Sequence, residues 1–190
     1  MYENRYSKRP VYRPFLIRQR GFSFVELITV IVLIGTLSVI AVARFSGSDG
    51  FAEYTFQNRL ISALRNMQQR AMQDNRLNYC YRINLVEGAV APAFGPPSTD
   101  YRAGNQAASC AASIDHTALA LATASDEIAE ERVSIAALDS GNNGLTFIDF
   151  DGLGRPISNL TNCASGCRVT FSGSNNASVC IEAQGYVHAC

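Results

Sequence analysis

Gly21-Phe22-Ser23-Phe24-Val25-Glu26-Leu27-Ile28-Thr29-Val30-Ile31-Val32-Leu33-Ile34-Gly35-Thr36-Leu37-Ser38-Val39-Ile40-Ala41-Val42-Ala43-Arg44-Phe45 is the stretch on which the reading of this chain turns. From Phe22 to Ala43 it is apolar on every side, not along one stripe, so it suits lipid or a bundle of like helices. As a helix it would run about 33 Å, close to the ~30 Å hydrocarbon thickness of a bilayer. One carboxylate, Glu26, lies near its start. A charged side chain in hydrocarbon costs roughly 2.5–3.5 kcal/mol at mid-membrane, so Glu26 demands a partner. Gly35, Thr29, Thr36 and Ser38 are the small or polar interruptions, and small residues let neighbouring helices approach closely.

Outward from this run, the formal charge of zero over 190 residues hides an asymmetry. Residues 1–21 hold Arg5, Lys8, Arg9, Arg13, Arg18 and Arg20 against Glu3 alone, which leaves ten bases and fifteen acids beyond, a net of −5. The basic leader keeps residues 1–21 cytoplasmic and sends the C-terminal part out of the cell interior. A mildly acidic exported part has no electrostatic reason to bind nucleic acid. The remaining length holds one domain of ordinary globular composition, 47% hydrophobic and 17% charged.

Three readings of the apolar run compete. It is a plain single-pass anchor with Glu26 at the interface. It is a cleavable secretory signal, since Ala41-Val42-Ala43 resembles an A-x-A site before Arg44, although its apolar region would exceed the usual 7–15 residues. Or Gly21-Phe22-Ser23-Phe24-Val25-Glu26 is a unit: cleavage after Gly21 frees an α-amine on a chain whose fifth residue is a carboxylate, and between staggered parallel helices the two charges cancel.

That hexapeptide, the basic leader, the Val/Ile/Leu run and Gly35 together resemble the N-terminal segment of type IV prepilins and the pseudopilins of type II secretion. The resemblance implies cleavage between Gly21 and Phe22 by prepilin peptidase, N-methylation of Phe22, and a role for Glu26 in entry into a filament. Phe24 stands where leucine is commoner in the family. Ala43 stands where many major pilins carry a helix-kinking proline, which favours a minor subunit. Leu64–Gln73 with Leu77–Tyr81, then Phe147–Pro156 and Ile181–Val187, resemble the helix end and strand–turn–strand of H-type pseudopilins. Taken whole, the chain is most similar to the C-type minor pilins of the mannose-sensitive haemagglutinin pilus. The implied partners are prepilin peptidase, a major pilin, other minor pilins and the inner-membrane assembly platform. The implied location is the inner membrane and then the cell surface.

The resemblance divides the chain into a cleaved leader over 1–21, a membrane and filament-core helix over 22–45, and an exported domain over 46–190. Ser46-Gly47-Ser48-Asp49-Gly50 breaks or hinges the helix, with Ser48 and Asp49 as N-caps for the next. Phe56, Leu60, Leu64, Met67 and Ala71 recur at helical spacing within residues 51–74, opposite Arg59, Arg65, Arg70 and the glutamines. Leu77–Leu85 reads as a strand carrying Cys80, and Pro92–Gln106 as loop. Ser125–Arg132 reads as a short helix, and Leu145–Phe150, Arg168–Ser172, Ser178–Glu182 and Tyr186–His188 as strands. The expected fold is α+β and type IV pilin-like: a long N-terminal helix, half membrane-spanning and half amphipathic, packed on a small antiparallel sheet.

Cys80, Cys110, Cys163, Cys167, Cys180 and Cys190 read as disulfides in an exported domain. Six cysteines allow 15 pairings, and the local ones, Cys80–Cys110, Cys163–Cys167 and Cys180–Cys190, are favoured. A zinc site from Cys163, Cys167, Cys180, His188 and Cys190 lacks the two close pairs that structural zinc prefers. Asp149 and Asp151, with Gly152 and Gly154, invite a calcium-loop reading, but Asn159 and Asn162 stand where later ligands are needed, so a tight polar turn is preferred. His116 and His188 lie beside no patterned nucleophile, no Gly-x-Ser-x-Gly elbow occurs, and Glu127, Glu130 and Glu131 form a solvated face. Asn159-Leu160-Thr161 and Asn176-Ala177-Ser178 fit a glycosylation pattern by chance. The expectation is a non-enzyme without cofactor. A type II secretion pseudopilin and a secreted adhesin are the alternatives; the adhesin needs a pocket for a surface glycan within Cys163–Cys190, and a periplasmic enzyme cut after Ala43 is the remaining class.

Overall fold

A computed structural model describes residues 22–45, 50–158, 163 and 165–190, with the side chains of 39–45 left out. The chain divides into two units, Met1–Phe45 and Ser46–Cys190. In the first, helix α1 spans Phe24–Phe45. The leader, Gly21 and the Ser46–Asp49 break fall outside the described residues, as do Asn159, Asn162 and the Asn159–Thr161 sequon.

The second unit opens with helix α2, Ala52–Gln73. Phe56, Leu60, Leu64, Met67 and Ala71 are all buried on one face, as their spacing requires. This face lies on strands of two antiparallel sheets. The first sheet has the order β2-β1-β4-β5, from Ala93–Gly95, Arg82–Val86, Phe147–Phe150 and Pro156–Ser158. The second has the order β3-β6-β7-β8, from Ser134–Asp139, Cys167–Ser172, Asn176–Ile181 and Val187–Ala189. The fold is therefore α+β with small antiparallel sheets and disulfides, two sheets rather than one. Phe171 is where the layers meet: its ring lies 6.1 Å from that of Phe56 on α2 and 6.0 Å, edge-on, from that of Phe94 on β2.

Polar side chains of α2 fix the sheets. Gln57, expected on the outer face, is buried and donates to the Ser178 carbonyl. Gln68 Nε2 donates to the carbonyls of Gly154 and Gly185, each at 2.7 Å, and so ties the β4–β5 turn of one sheet to the β7–β8 turn of the other. A Cβ on Gly185 would run into the Gly154 carbonyl oxygen, and its φ of +91° also requires glycine. Arg65 donates to the Val187 carbonyl, and Arg59 to that of Ala122. Glu53 is 1% exposed; its Oε1 accepts the Asn175 N–H at 2.8 Å, while Oε2 has no partner among the described residues.

Several local expectations need correction. The first strand begins at Arg82, after Cys80, because Asn78 turns the chain at φ 68° and the next N–H groups go to side chains: Cys80 N–H to Ser109 Oγ and Tyr81 N–H to Asp149 Oδ1. Pro92–Gln106 is not all loop, since Ala93–Gly95 pairs with β1. Its outer edge is closed by Thr123, whose N–H donates to the Phe94 carbonyl. Ser134–Asp139 is an additional strand, with Ile135, Ala137 and Asp139 inward. Two short helices complete the chain, α3 over Gln106–Ser109 and α4 over Glu127–Glu130.

Candidate functional site

The N-terminal unit is unusual in what it exposes. Phe22, Phe24, Val25, Leu27, Ile31, Leu33 and Leu37 are all solvent-facing, so α1 presents apolar surface around its described length. Exposed apolar area costs about 25 cal/mol per Å², so a surface of this kind favours being covered. Among the described residues no helix is long and apolar enough to cross a membrane, and the side chains of α1 are described only as far as Ser38.

The polar groups along α1 fall into two kinds. Thr29 Oγ1 donates to the Glu26 carbonyl at 2.9 Å, Thr36 Oγ1 to that of Leu33 at 3.0 Å, and Ser38 Oγ to that of Ile34 at 2.7 Å. These hydroxyls are satisfied inside their own helix, which lets them sit in apolar surroundings. Glu26, in the first turn, is different. Its carboxylate has the positive end of the helix dipole nearby but no hydrogen-bond or ion-pair partner among the described residues. Phe22 stands just before α1 and is exposed. Gly21, which precedes it, is outside the described residues.

The six cysteines pair locally. Cys80 and Cys110 lie 5.0 Å apart at Cα, Cys163 and Cys167 5.4 Å, and Cys180 and Cys190 5.8 Å, within the usual disulfide range. With every one of these sulfurs in a disulfide no thiolate remains for zinc, which disposes of the site drawn from Cys163, Cys167, Cys180, His188 and Cys190. His188 instead stacks on Tyr186, centroids 4.8 Å apart, and its Nε2 lies 3.1 Å from Glu182 Oε1. That carboxylate, with the Ala189 carbonyl at Nδ1, raises the imidazole above its ordinary value.

Asp149 and Asp151 do not converge as a cation site. Asp149 is 8% exposed; its Oδ1 accepts the N–H groups of Tyr81 and Phe150 at 2.8 and 2.9 Å, and its Oδ2 faces Arg82 Nη2 at 3.1 Å. Burial still pushes its carboxyl upward, against the pull of Arg82. Arg82 in turn lies over the Phe147 ring at 4.0 Å and donates to the Cys110 carbonyl. Asp151 Oδ1 accepts the N–H groups of Leu153 and Arg155, closing its own turn, and Oδ2 takes the Arg155 side chain. Partial burial opposes its ionisation, but these bonds hold it below the usual carboxylate range. Each carboxylate is thus occupied by structural bonds. Arg82 was not legible as Asp149's partner in the sequence, 67 residues away.

Glu127 is not simply a solvated acid: it pairs with Arg59 and accepts the Ala124 N–H. Between the end of β3 and the Cys163–Cys190 region, a cleft of about 350 Å³ is lined by Asp139, Asn142, Arg168 and Glu182 among others, and Arg168 has no ion-pair partner among the described residues. No protein-family model, curated protein or solved structure matches this chain.

Proposed function

We propose that the chain is a type IV pilin-like prepilin that matures into a minor subunit of a surface pilus of the mannose-sensitive haemagglutinin kind. The basic leader orients it in the bacterial inner membrane. Prepilin peptidase cuts between Gly21 and Phe22, and the new Phe22 amine is methylated. At the assembly platform the apolar helix leaves lipid for a bundle of similar helices from the major and other minor pilins. There Glu26 is neutralised by the Phe22 amine of a neighbour, and the disulfide-bonded α+β domain faces outward.

The single observation that supports this reading most is the contrast along α1. Its hydroxyls close onto their own helix, whereas Glu26 alone on that described surface is left needing a cation. A fixed positive chain end on an adjacent helix supplies it, at the spacing that one proteolytic cut creates. The N-terminal residue and mass of the protein extracted from cells test the reading. Methylated Phe22 is expected. A chain starting at Arg44 would make the segment an ordinary signal peptide, and an intact Met1 a plain anchor; either result overturns it.

A further inference from the structure

We infer that Cys110 is a covalent capture site for small-molecule thiols, which open the Cys80–Cys110 bridge by attack on the Cys110 sulfur and release Cys80 as a thiolate beside Arg82. The bridge belongs to the α+β domain and takes no part in the assembly chemistry above. Both of its cysteines are half-buried.

The two sulfurs have unlike surroundings. Arg82 Nη2 donates to Cys80 Sγ at 3.4 Å. The guanidinium is held in that position from several sides. Its Nη1 donates to the Cys110 carbonyl at 3.1 Å, its Nε and Nη2 reach Asp149 Oδ2, and its Cζ lies 4.0 Å from the Phe147 ring centroid. Cys110 Sγ meets only acceptors. The Asn78 carbonyl oxygen is 3.9 Å away. The Ser109 hydroxyl is 3.7 Å away, but its proton goes to the Gln106 carbonyl at 2.6 Å, and its oxygen also accepts the Cys80 N–H.

Thiol–disulfide exchange runs faster when the departing sulfur is the better stabilised thiolate. A cationic donor favours a thiolate, whereas lone pairs facing a sulfur disfavour it. Cys80 is therefore the leaving group and Cys110 the sulfur attacked. The incoming thiolate forms a new S–S bond to Cys110 as the Cys80–Cys110 bond breaks. The electron pair of the broken bond stays on Cys80, facing the Arg82 N–H. One disulfide replaces another, so no oxidant or reductant is consumed. Asp149 shares the Arg82 charge, yet Nη2 carries two N–H groups, so the one aimed at sulfur remains available. The other bridges lack this asymmetry: Cys163 and Cys167 are buried, and no side chain donates to Cys180 or Cys190 Sγ among the described residues.

The test treats the full chain, folded in detergent micelles, with reduced glutathione at fixed pH. Samples are quenched with acid at short times, digested in acid and mapped by mass spectrometry. Glutathione on Cys110 should exceed glutathione on Cys80 at least about tenfold, as one charge-assisted hydrogen bond to the leaving sulfur allows. It should also appear before any adduct on Cys180 or Cys190. Asp149→Asn removes the counter-ion but keeps the donor, so the preference for Cys110 should persist. Asp149→Asn combined with Arg82→Met removes the donor without stranding a charge, and the two adducts should then approach parity. The assignment is overturned by no adduct on Cys110, by equal adducts on Cys80 and Cys110 in the parent, or by earlier opening of Cys180–Cys190. Loss of the preference in Asp149→Asn alone, or its survival in the double variant, overturns it equally.

Discussion

Arg82 and Asp149 sit directly opposite each other on neighbouring strands, Nη2 to Oδ2 at 3.1 Å, and both side chains are nearly withdrawn from solvent. Removing one member of a buried pair strands the other charge, which costs about 3–5 kcal/mol. Asp149→Ala also leaves the Tyr81 N–H without its acceptor. The expected outcome is a large fall in the urea midpoint, whereas millimolar calcium leaves the parent's midpoint where it was. A calcium-dependent rise would restore the cation reading of this turn.

Gln68→Ala removes both bonds that join the β4–β5 and β7–β8 turns. At about 0.5–1.5 kcal/mol net per bond, a loss of about 1–3 kcal/mol is expected. Hydrogen exchange should rise at both turns together, around Asp151–Arg155 and Glu182–Tyr186. Faster exchange at one turn only would show that Gln68 does not couple them.

The disulfides should differ in worth according to the loop each closes. Cys80–Cys110 spans 30 residues and Cys163–Cys167 only 4. Chain entropy assigns about 3.5 kcal/mol to the first and about 2 kcal/mol to the second. Paired serine replacement of each, followed by denaturant unfolding, should reproduce that order.

Stability should pass through a plateau in pH. Arg76, and then Tyr81, hold Asp74 well below the usual carboxylate range; Arg102 does the same for Asp100, and Thr117 for Asp115. Depressed carboxylates stabilise above their unfolded value of about 3.9, and this is lost as the pH falls through their folded values. His188, raised by Glu182, acts in the opposite sense: its contribution is complete below about 6.5 and fades as the pH rises through its folded value. Asp149, raised by burial, offsets part of the acid-side loss. Thermal midpoints from pH 2 to 8 should fall on the acid side, and His188→Ala should flatten the neutral side. An acid-side midpoint that stays level would contradict the carboxylate assignment.

On the assembly reading, Glu26→Gln should leave the protein in the membrane but absent from sheared filaments. Gly21 replaced by a bulky residue should accumulate full-length precursor. Normal incorporation in the first case, or normal processing in the second, counts against the pairing of Glu26 with a processed amine.

The parts of the fold that could be read from sequence are those with strong periodicity. The stripe from Phe56 to Ala71 marks α2 because an interior helix face must repeat at 3.6 residues. The six cysteines pair locally, as their proximity along the chain suggested. The remaining elements are hidden by small or ambiguous residues. In Ser134–Asp139 the alternation survives, but two of its members are alanines, which signal neither face. Ala93–Gly95 lies in a stretch rich in proline and glycine, and Thr123, which closes its edge, is far along the chain. The polar anchors Gln57, Gln68 and Arg82 were illegible for another reason: their partners are backbone carbonyls or distant carboxylates, and carbonyls leave no mark in a sequence.

Gly185 carries one further implication. Because its α-carbon rests against the Gly154 carbonyl, even a methyl group there would act as a wedge driven between the two halves of the domain. The seam between the sheets is thus policed by a hydrogen atom, and its width leaves no allowance for anything larger.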